Sequence, residues 1–243
     1  MKILCLNTNR NSPLQNQRDL IERIIPDVIC LQEMREDYFF EWLEIFESRG
    51  IFAPQWYEYM EEECVNVGSA IITTWKDSDF ENHYYRGNSD SIPFFNGGNI
   101  EQAAIPRALQ TATINVGGDT YQVANLHFTW APNGIPSQTQ INDAYKVSKI
   151  LEKLKQFVLC GDFNTPVGSE AFRIMRSSAT LAEVVDCDST IDPNFHYEKN
   201  LKIVVDALLF TEPYMLNDIQ LICGVSDHCA LMANMEKMEW TGK

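Results

Sequence analysis

The chain has 243 residues, with 19 lysines and arginines against 34 aspartates and glutamates, so its formal net charge is -15 at neutral pH. At about 150 residues per domain, and without a linker or low-complexity segment, we expect one domain over residues 1–243. No apolar stretch approaches the roughly 18 residues that span a bilayer, and the first residues do not resemble a secretory signal. The acidity argues against a surface that grips long nucleic-acid duplexes, because clustered Lys and Arg carry affinity for the phosphate backbone.

The seven cysteines suggest a reduced protein. Cys5, Cys30, Cys160 and Cys223 lie inside or beside apolar runs, where a reduced cysteine behaves as a small hydrophobe. The sequence contains no Cys-x-x-Cys pair and no Cys/His cluster at the spacing of zinc ligands. We therefore expect core cysteines, no structural disulfide and a reducing, cytoplasmic compartment.

The pattern of apolar and turn residues predicts short strands mixed with a few helices. In chain order we expect a strand at 1–6, a helix at 18–25 ending before Pro26, a strand at 28–31, a helix at 36–49 closed by Gly50, a solvated acidic loop at 58–63, strands at 69–74, 109–116 and 121–128, a helix at 143–155, a strand at 157–160, a short helix at 169–176, and strands at 203–210 and 229–233. Gly117-Gly118-Asp119 is a good hairpin turn. Because strands outnumber helices without strict alternation, the sequence predicts an α/β protein with large mixed sheets packed as layers.

Polar side chains stand at the ends of these strands or interrupt them. They are Asn7, Glu33, His127, Asp162 with Asn164, Asp206, and Asp227 with His228. An ionised carboxylate against an apolar run costs several kcal/mol unless it is paired, hydrogen-bonded or bound to a metal. Each residue alone has a simpler interpretation as a cap, a turn residue or a core histidine. Together they predict an active site, because such sites gather at strand ends in layered α/β folds.

The residue types at these positions indicate the chemistry. Aspartate, glutamate and asparagine are hard oxygen donors, and without thiolates they favour Mg²⁺ or Mn²⁺ over Zn²⁺. Histidines beside such a site suit hydrogen bonds to phosphate oxygens. The combination predicts metal-assisted hydrolysis of a phosphoester.

The same residues lie in an ordered series of motifs that resembles the endonuclease/exonuclease/phosphatase superfamily. The motifs are Leu6-Asn7, Pro26-Asp27-Val28-Ile29-Cys30-Leu31-Gln32-Glu33, Gly68-Ser69-Ala70-Ile71-Ile72, Asn125-Leu126-His127, Gly161-Asp162-Phe163-Asn164, Val205-Asp206 and Ser226-Asp227-His228. The resemblance runs through the whole chain and implies a four-layer α/β/β/α sandwich of two mixed sheets with outer helices. It also implies a Mg²⁺ site (Mn²⁺ is an alternative) with Glu33 as principal ligand and Asn7 and Asp227 completing or flanking it.

The resemblance further implies catalytic roles for the remaining motif residues. Asp162 would deprotonate the attacking water, and Asn164 would position that water and the phosphate. His228 would stabilise charge on the phosphoryl group, with its ring oriented by Asp206. His127 would be a second histidine facing the phosphate.

The stretch 76–110 and the loop after His127 match the family less clearly. Arg107 is a candidate for a phosphate contact, and its alternative is a surface arginine. Glu101, Tyr84 and Tyr85 are weaker candidates for a partner of His127. Trp130 and Asn133 would line the substrate cleft, although Trp130 fits loop packing equally well.

The predicted activity is that of a divalent-metal-dependent phosphodiesterase of nuclease type. The alternatives are a phosphatase acting on a small phosphorylated molecule, such as an inositol phosphate or a phospholipid headgroup, and a non-catalytic interaction scaffold. A short or single-stranded nucleic acid suits the acidic chain better than a long duplex. We expect no membrane partner and a monomer.

Overall fold

The structure is a computed structural model that describes residues 1–10, 14–60, 63–95, 104–131, 135–182, 184 and 187–238. The strands in this part of the chain are β1 (Lys2–Asn7), β2 (Val28–Arg35), β3 (Arg49–Met60), β4 (Glu63–Thr73), β5 (Ser78–Arg86), β6 (Phe94–Phe95), β7 (Arg107–Val116), β8 (Asp119–His127), β9 (Val158–Asp162), β10 (Thr180–Ala182), β11 (Asp206–Phe210), β12 (Tyr214–Ile222) and β13 (Ala230–Lys237). The helices are α1 (Leu14–Ile24), α2 (Glu36–Ile45), α3 (Gln138–Leu154) and α4 (Glu170–Met175).

The strands form two mixed sheets. The first has the order β12-β13-β1-β2-β4-β3-β6, and the second has the order β10-β11-β9-β8-β7-β5. In the first sheet β1 is parallel to β2 and antiparallel to β13, and in the second β9 is parallel to β8 and antiparallel to β11. Each sheet therefore has a parallel pair at its centre, flanked by antiparallel strands.

The two sheets pack face to face with helices outside. Ile3 and Cys30 of the first sheet meet Val123 and Cys160 of the second in one apolar layer. Helices α1 and α2 cover the outer face of the first sheet, and α3 and α4 cover that of the second. Each fully buried Val, Leu, Ile, Phe or Met side chain of these layers contributes about 1.5–3 kcal/mol when it leaves water. The predicted four-layer α/β/β/α sandwich is confirmed.

One polar residue, Asn125 on β8, joins the two sheets within this apolar layer. Its Nδ2 lies 2.9 Å from the carbonyl oxygens of both Leu31 and Ala70 and 3.0 Å from Oε1 of Gln110, while its Oδ1 accepts from Gln32 Nε2 at 2.6 Å. Asn125 is fully buried. Since buried polar groups are costly without partners, this network specifies how the sheets are aligned beneath the strand ends.

We expect Asn125→Leu to lower the free energy of unfolding by about 2–4 kcal/mol, because it removes the buried hydrogen bonds that Asn125 makes with Gln32, Gln110 and two backbone carbonyls. Urea denaturation followed by circular dichroism measures the change. Asn115→Leu is the control, since Asn115 makes its side-chain bonds to Asp77 and Thr120 at the surface, and it should cost less than about 1 kcal/mol. Equal effects of the two substitutions would contradict the inter-sheet role of Asn125.

The predicted elements differ from the structure mainly between residues 45 and 95. The helix predicted for 36–49 ends at Ile45, and Arg49 already begins strand β3. Strands β3, β5, β6, β10 and β12 were not predicted. The acidic stretch predicted as a solvated loop contains Glu58, which is buried on β3 because Arg10 neutralises it. Tertiary pairing overrode the local pattern in these places.

The expectation that the chain has no disulfide was wrong for one pair. Cys223 and Cys229 are bonded, with their Cα atoms 4.2 Å apart, because the chain folds back between β12 and β13. Cys5, Cys30 and Cys160 are free and buried, as predicted for core residues. Among the described residues, none of the helices has both the length and the apolar character needed to cross a membrane.

Candidate active site

The predicted site residues converge because three neighbouring strands of the second sheet carry them in register. His127 at the end of β8 is paired with Asp162 at the end of β9, and Asp162 is paired with Asp206 at the start of β11. Asn7, at the end of β1 in the other sheet, donates from Nδ2 to Asp162 Oδ2 at 3.0 Å. The strand ends of both sheets therefore meet at one edge of the sandwich.

Gly161 allows this close approach. A Cβ atom at this position would lie 2.1 Å from the carbonyl oxygen of Leu126 on the neighbouring parallel strand. Real Cβ atoms do not approach a backbone oxygen so closely, so only glycine fits between β8 and β9. In the Gly-Asp motif, Gly161 therefore allows the two strands to pack closely, and Asp162 supplies the carboxylate of the site.

Two site residues have left-handed backbone conformations. Glu33 (φ 49°) lies in an irregular part of β2, where the pairing with β4 shifts between Leu31 and Met34. Thr8 Oγ1 donates to the Glu33 carbonyl at 2.8 Å and fixes this bulge. Asn164 (φ 47°) lies in the turn after β9. Such conformations are uncommon outside glycine, and bulges frequently re-aim a side chain beside an active site.

Asn164 is held by hydrogen bonds to residues at the ends of β8 and β9. Its backbone amide donates to Asp162 Oδ1 at 2.8 Å, and its Nδ2 donates to the Phe128 carbonyl at 3.0 Å. The Asn164 amide side chain is therefore ordered beside the Asp162 carboxylate before any substrate binds.

His228 and Asp206 form a hydrogen-bonded dyad. His228 Nδ1 donates to Asp206 Oδ2 at 2.8 Å. Burial acts to lower the pKa of His228, but the negative charges of Asp206, Asp162 and Asp227 outweigh it and hold that pKa well above its usual value. His228 is therefore an imidazolium at neutral pH, and its Nε2–H is available as a charged donor.

Asp162 lies opposite this dyad. Ligand atoms of Asp162, Asp206 and His228 all lie within 4.8 Å of one another. Burial raises the pKa of Asp162 to about 7, the His228 imidazolium opposes the rise, and the charge of Asp206 adds to it. A carboxylate with a pKa near neutrality is suited to accept a proton from water.

His127 has a partner that the sequence did not indicate. Its Nδ1 lies 2.9 Å from Oε1 of Gln55, whose Nε2 donates to Ser69 Oγ at 3.2 Å. Burial lowers the pKa of His127, and the charges of Arg107, His228 and Arg10 lower it further. His127 is thus neutral with its proton on Nδ1, and its Nε2 lone pair faces Glu33 Oε1 at 3.9 Å and Asp162 Oδ2 at 3.8 Å.

The candidates for that partner were therefore wrong where the structure describes them. Tyr85 donates to the backbone carbonyl of His127 at 3.4 Å, and the described hydrogen bonds link neither Tyr85 nor Tyr84 to the His127 ring. Glu101 and Asn133 lie outside the described residues. Gln55 was missed because β3 was not predicted; the β-formers around it, Ile51 to Tyr59, are the signal that could have identified the strand.

Arg10 is a second functional residue that the sequence reasoning missed. It lies three residues beyond the end of β1 and forms salt bridges at 2.6 Å with Glu33 Oε2 and with Glu58 Oε1. Burial acts to lower the pKa of Arg10, but the two carboxylates raise it. One oxygen of the predicted metal ligand Glu33 is therefore engaged by a guanidinium in this structure.

A pocket of about 150 Å³ opens beside Glu33, His127 and Asn164. It is lined by Arg10, Glu33, Trp56, Phe95, Ile105, Arg107, His127, Trp130 and Asn164. Arg107 is a pocket residue and not a surface arginine, since only 3% of it is exposed. It donates to Gln55 Oε1 at 3.5 Å and to the His127 carbonyl at 3.4 Å, and within the described chain its buried Nε has no hydrogen-bond partner. Trp130 stands at the rim, 44% exposed.

The donors at this edge fit a hard divalent cation. Glu33 and Asp162 both face His127 Nε2, Asn7 contacts Asp162, and Asp227 adjoins His228 with its carboxylate accepting from Ser226 at 3.2 Å. The carboxylate and amide oxygens among these groups are the ligand type that Mg²⁺ and Mn²⁺ prefer. The structure places Asn7 and Glu33 near Asp162, and Asp227 on the His228 side.

Comparison with known proteins gives the site its context. The model of the endonuclease/exonuclease/phosphatase family matches residues 4–228, which is nearly the whole chain. The chain belongs to this family. Among curated proteins, no sequence matches it significantly.

Solved structures of endonuclease/exonuclease/phosphatase proteins share its fold. A family protein from Leptotrichia buccalis C-1013-b superimposes with a TM-score of 0.72 at 20% identity, covering 97% of this chain and 99% of that one. The mannosyl-6-phosphatase Bt3783 of Bacteroides thetaiotaomicron VPI-5482 gives 0.67 at 14% identity, with 97% and 99% covered. TDP2 of D. rerio, complexed with a single-stranded DNA product, gives 0.65 at 14% identity, with 98% and 99% covered. The family is generally hydrolytic, and these similarities show the shared fold.

Proposed function

We propose that this protein is a Mg²⁺-dependent phosphodiesterase of nuclease type (Mn²⁺ is the alternative ion). The observation that carries the proposal is that a buried base, Asp162, faces a partly buried acid, His228. Asp162, with a pKa of about 7, faces the imidazolium of His228, and the ligand atoms of both lie within 4.8 Å of each other and of Asp206. In-line attack of water on phosphorus needs such a proton acceptor and such a donor toward the developing negative charge.

Each residue around the Asp162–His228 pair then has a role in the proposed reaction. Asp162 takes the proton of the attacking water, while Asn164 orients that water and a phosphate oxygen. His228 donates from Nε2 to a phosphoryl oxygen, and Asp206 holds the ring through Nδ1. The lone pair on His127 Nε2 accepts a hydrogen bond in this tautomer, so His127 contacts phosphate only after it takes up a proton.

The pocket favours a diester over a monoester. A diester has one negative charge and a second organic group, whereas a monoester has close to two charges and only one organic group. Glu33 and Glu58 already neutralise Arg10, which leaves Arg107 as the lining cation without a carboxylate partner among the described contacts. The apolar walls, which include Trp56 and Trp130, suit the second organic group.

The Mg²⁺ ion would be held by Glu33, with Asn7 and Asp227 completing or flanking the site. When bound, it supplies positive charge that polarises the phosphoryl group. Because the Arg10 guanidinium occupies one Glu33 oxygen in this structure, we infer that cation and arginine share or exchange this carboxylate.

We expect 10 mM Mg²⁺ to raise the thermal unfolding temperature of the wild-type protein by several degrees, because a ligand that binds only the folded state stabilises it by mass action. Glu33→Gln should lose most of this rise, since it removes the charge of the principal ligand. Differential scanning calorimetry with and without EDTA measures both. Glu41→Gln is the control, because Glu41 pairs with Arg18 on the helix side. A full rise in Glu33→Gln would remove Glu33 from the site.

The substrate class and the setting are part of the same proposal. A short or single-stranded nucleic acid is the substrate, because a chain of net charge -15 repels long duplexes. The protein acts as a monomer and without a membrane partner. A cytoplasmic compartment suits the five free cysteines, whereas the Cys223–Cys229 disulfide would be exposed to reduction there.

The decisive experiment compares a diester with a monoester. With Mg²⁺ the protein should hydrolyse bis(p-nitrophenyl) phosphate at least tenfold faster than p-nitrophenyl phosphate. Turnover of the monoester alone would favour the phosphatase alternative, and no turnover of either would favour the scaffold. A panel of single-stranded DNA, RNA, abasic duplex, a tyrosyl-DNA adduct and inositol phosphates then identifies the substrate class.

A further inference from the structure

The disulfide closes the loop that carries two of the site residues. We name residues 223–229 the Asp-His loop. Its ends, Cys223 and Cys229, are bonded at a sequence separation of 6, and Asp227 and His228 lie within the ring so formed. Gly224 has a φ of 93°, a left-handed conformation that glycine adopts without steric cost. His228 is thus the residue directly before a covalent anchor.

A second segment, residues 190–192, braces this loop. The Asp192 amide donates to the Asp227 carbonyl at 2.8 Å, and Asp192 Oδ2 accepts from the Gly224 amide at 2.7 Å. The Cys229 amide donates to the Thr190 carbonyl at 2.8 Å. The loop is therefore held at both ends and beside Asp227 by one neighbouring segment.

The same segment also holds the other half of the dyad. Thr190 Oγ1 accepts from the amides of Val205 and Asp206 at 3.1 and 3.2 Å. Thr190 is almost fully buried. His228 and Asp206, which are 22 residues apart, are thus placed relative to one another through a single backbone segment. The 2.8 Å bond between them depends on how firmly the Asp-His loop is fixed to that segment.

We propose that the Cys223–Cys229 disulfide is a positioning element for His228 and that its reduction slows the chemical step. The proposal rests on the proposed phosphodiesterase function. Without the covalent ring, the loop is held by the backbone hydrogen bonds and side-chain contacts alone and samples conformations in which the imidazole leaves Asp206. A displacement of about 1 Å at a catalytic group can cost about 10²-fold in rate. Substrate binding in the pocket involves Arg107 and Trp130 instead, so KM should change little.

Reduction of this bond needs only a dithiol. A thiolate of the reductant attacks Sγ of Cys223, the exposed partner, and Cys229 leaves as a thiolate that takes up a proton. The second thiol of the reductant then attacks the reductant's sulfur atom in the mixed disulfide, which releases Cys223 as a thiol. Two electrons and two protons pass to the protein, and the dithiol becomes a cyclic disulfide.

The test first counts thiols and then measures rates. Five thiols should titrate in the denatured, untreated protein and seven after dithiothreitol. With bis(p-nitrophenyl) phosphate and Mg²⁺, the reduced wild type and Cys223→Ser/Cys229→Ser should both show kcat about 10- to 100-fold lower, with KM within twofold. Re-oxidation should restore the wild type and not the double variant. Cys64→Ser, which removes an exposed free cysteine, should behave as the wild type.

Hydrogen exchange provides a readout independent of turnover. Amides of residues 224–228 should exchange faster after reduction, while those of β9 should not. Seven thiols before reduction or an unchanged kcat would overturn the proposal. A change in KM as large as the change in kcat, together with a loss of thermal stability, would also overturn it. If the double variant does not fold, the reduced wild type alone decides the outcome. If neither redox state hydrolyses any phosphoester, the proposed function fails, and the exchange of 224–228 still decides whether the disulfide orders the loop.

Discussion

Asp162→Asn should lower kcat for bis(p-nitrophenyl) phosphate by about 10²- to 10⁴-fold, because the amide cannot accept the proton of the attacking water. The substitution is nearly isosteric, and an Asn oxygen can still accept the bond from the Asn164 amide. We therefore expect the fold to persist, as judged by circular dichroism. Initial rates at saturating Mg²⁺ measure the effect.

The pH profile distinguishes a general base from a structural carboxylate. Since burial raises the pKa of Asp162 to about 7, the protonated and catalytically inactive form predominates below that pH. The wild-type rate should therefore fall as the pH drops below about 7, and the residual rate of Asp162→Asn should lack this dependence. Asp79→Asn, at an exposed position of β5, is the matched control. Wild-type turnover by Asp162→Asn would exclude Asp162 as the base.

His228→Ala should lower kcat by about 10²- to 10³-fold, because it removes the charged donor that faces the developing negative charge. The effect should fall on kcat more than on KM, since the interaction strengthens as the reaction proceeds. His83→Ala is the control. His83 lies on β5, at the edge of the second sheet and away from the dyad, and its Nε2 lies 3.1 Å from Thr111 Oγ1 on β7. Steady-state kinetics of both variants provide the comparison.

A double-mutant cycle tests how Asp206 acts. Asp206→Asn should reduce kcat less than His228→Ala does, and adding it to His228→Ala should cost little more, because Asp206 acts through the ring it holds. Additive losses would instead indicate that Asp206 contacts the substrate or the cation itself.

The segments Lys2-Ile3-Leu4-Cys5-Leu6-Asn7 and Phe157-Val158-Leu159-Cys160-Gly161-Asp162 resemble each other weakly in sequence, and they have corresponding places in the two sheets. Each segment contains one strand of the parallel pair at the centre of its sheet, and that strand has one parallel and one antiparallel neighbour. A strand buried on both faces reads as a continuous apolar run, and a polar residue ends both runs at the same edge of the sandwich. A similarity over so few residues does not by itself establish an internal repeat.

The layered fold and the chemical types at the site can be predicted from the sequence, since apolar runs and the polar residues that end them are local patterns. The folded chain was needed to show that Gln55 holds His127, that Arg10 pairs with Glu33, and that Cys223 bonds Cys229. The first depends on β3 pairing with β4, the second on β1 pairing with β2, and the third on a reversal of the chain between β12 and β13. Such partners follow from strand register and from loop closure, which bring together residues whose neighbours in sequence give no indication of the contact.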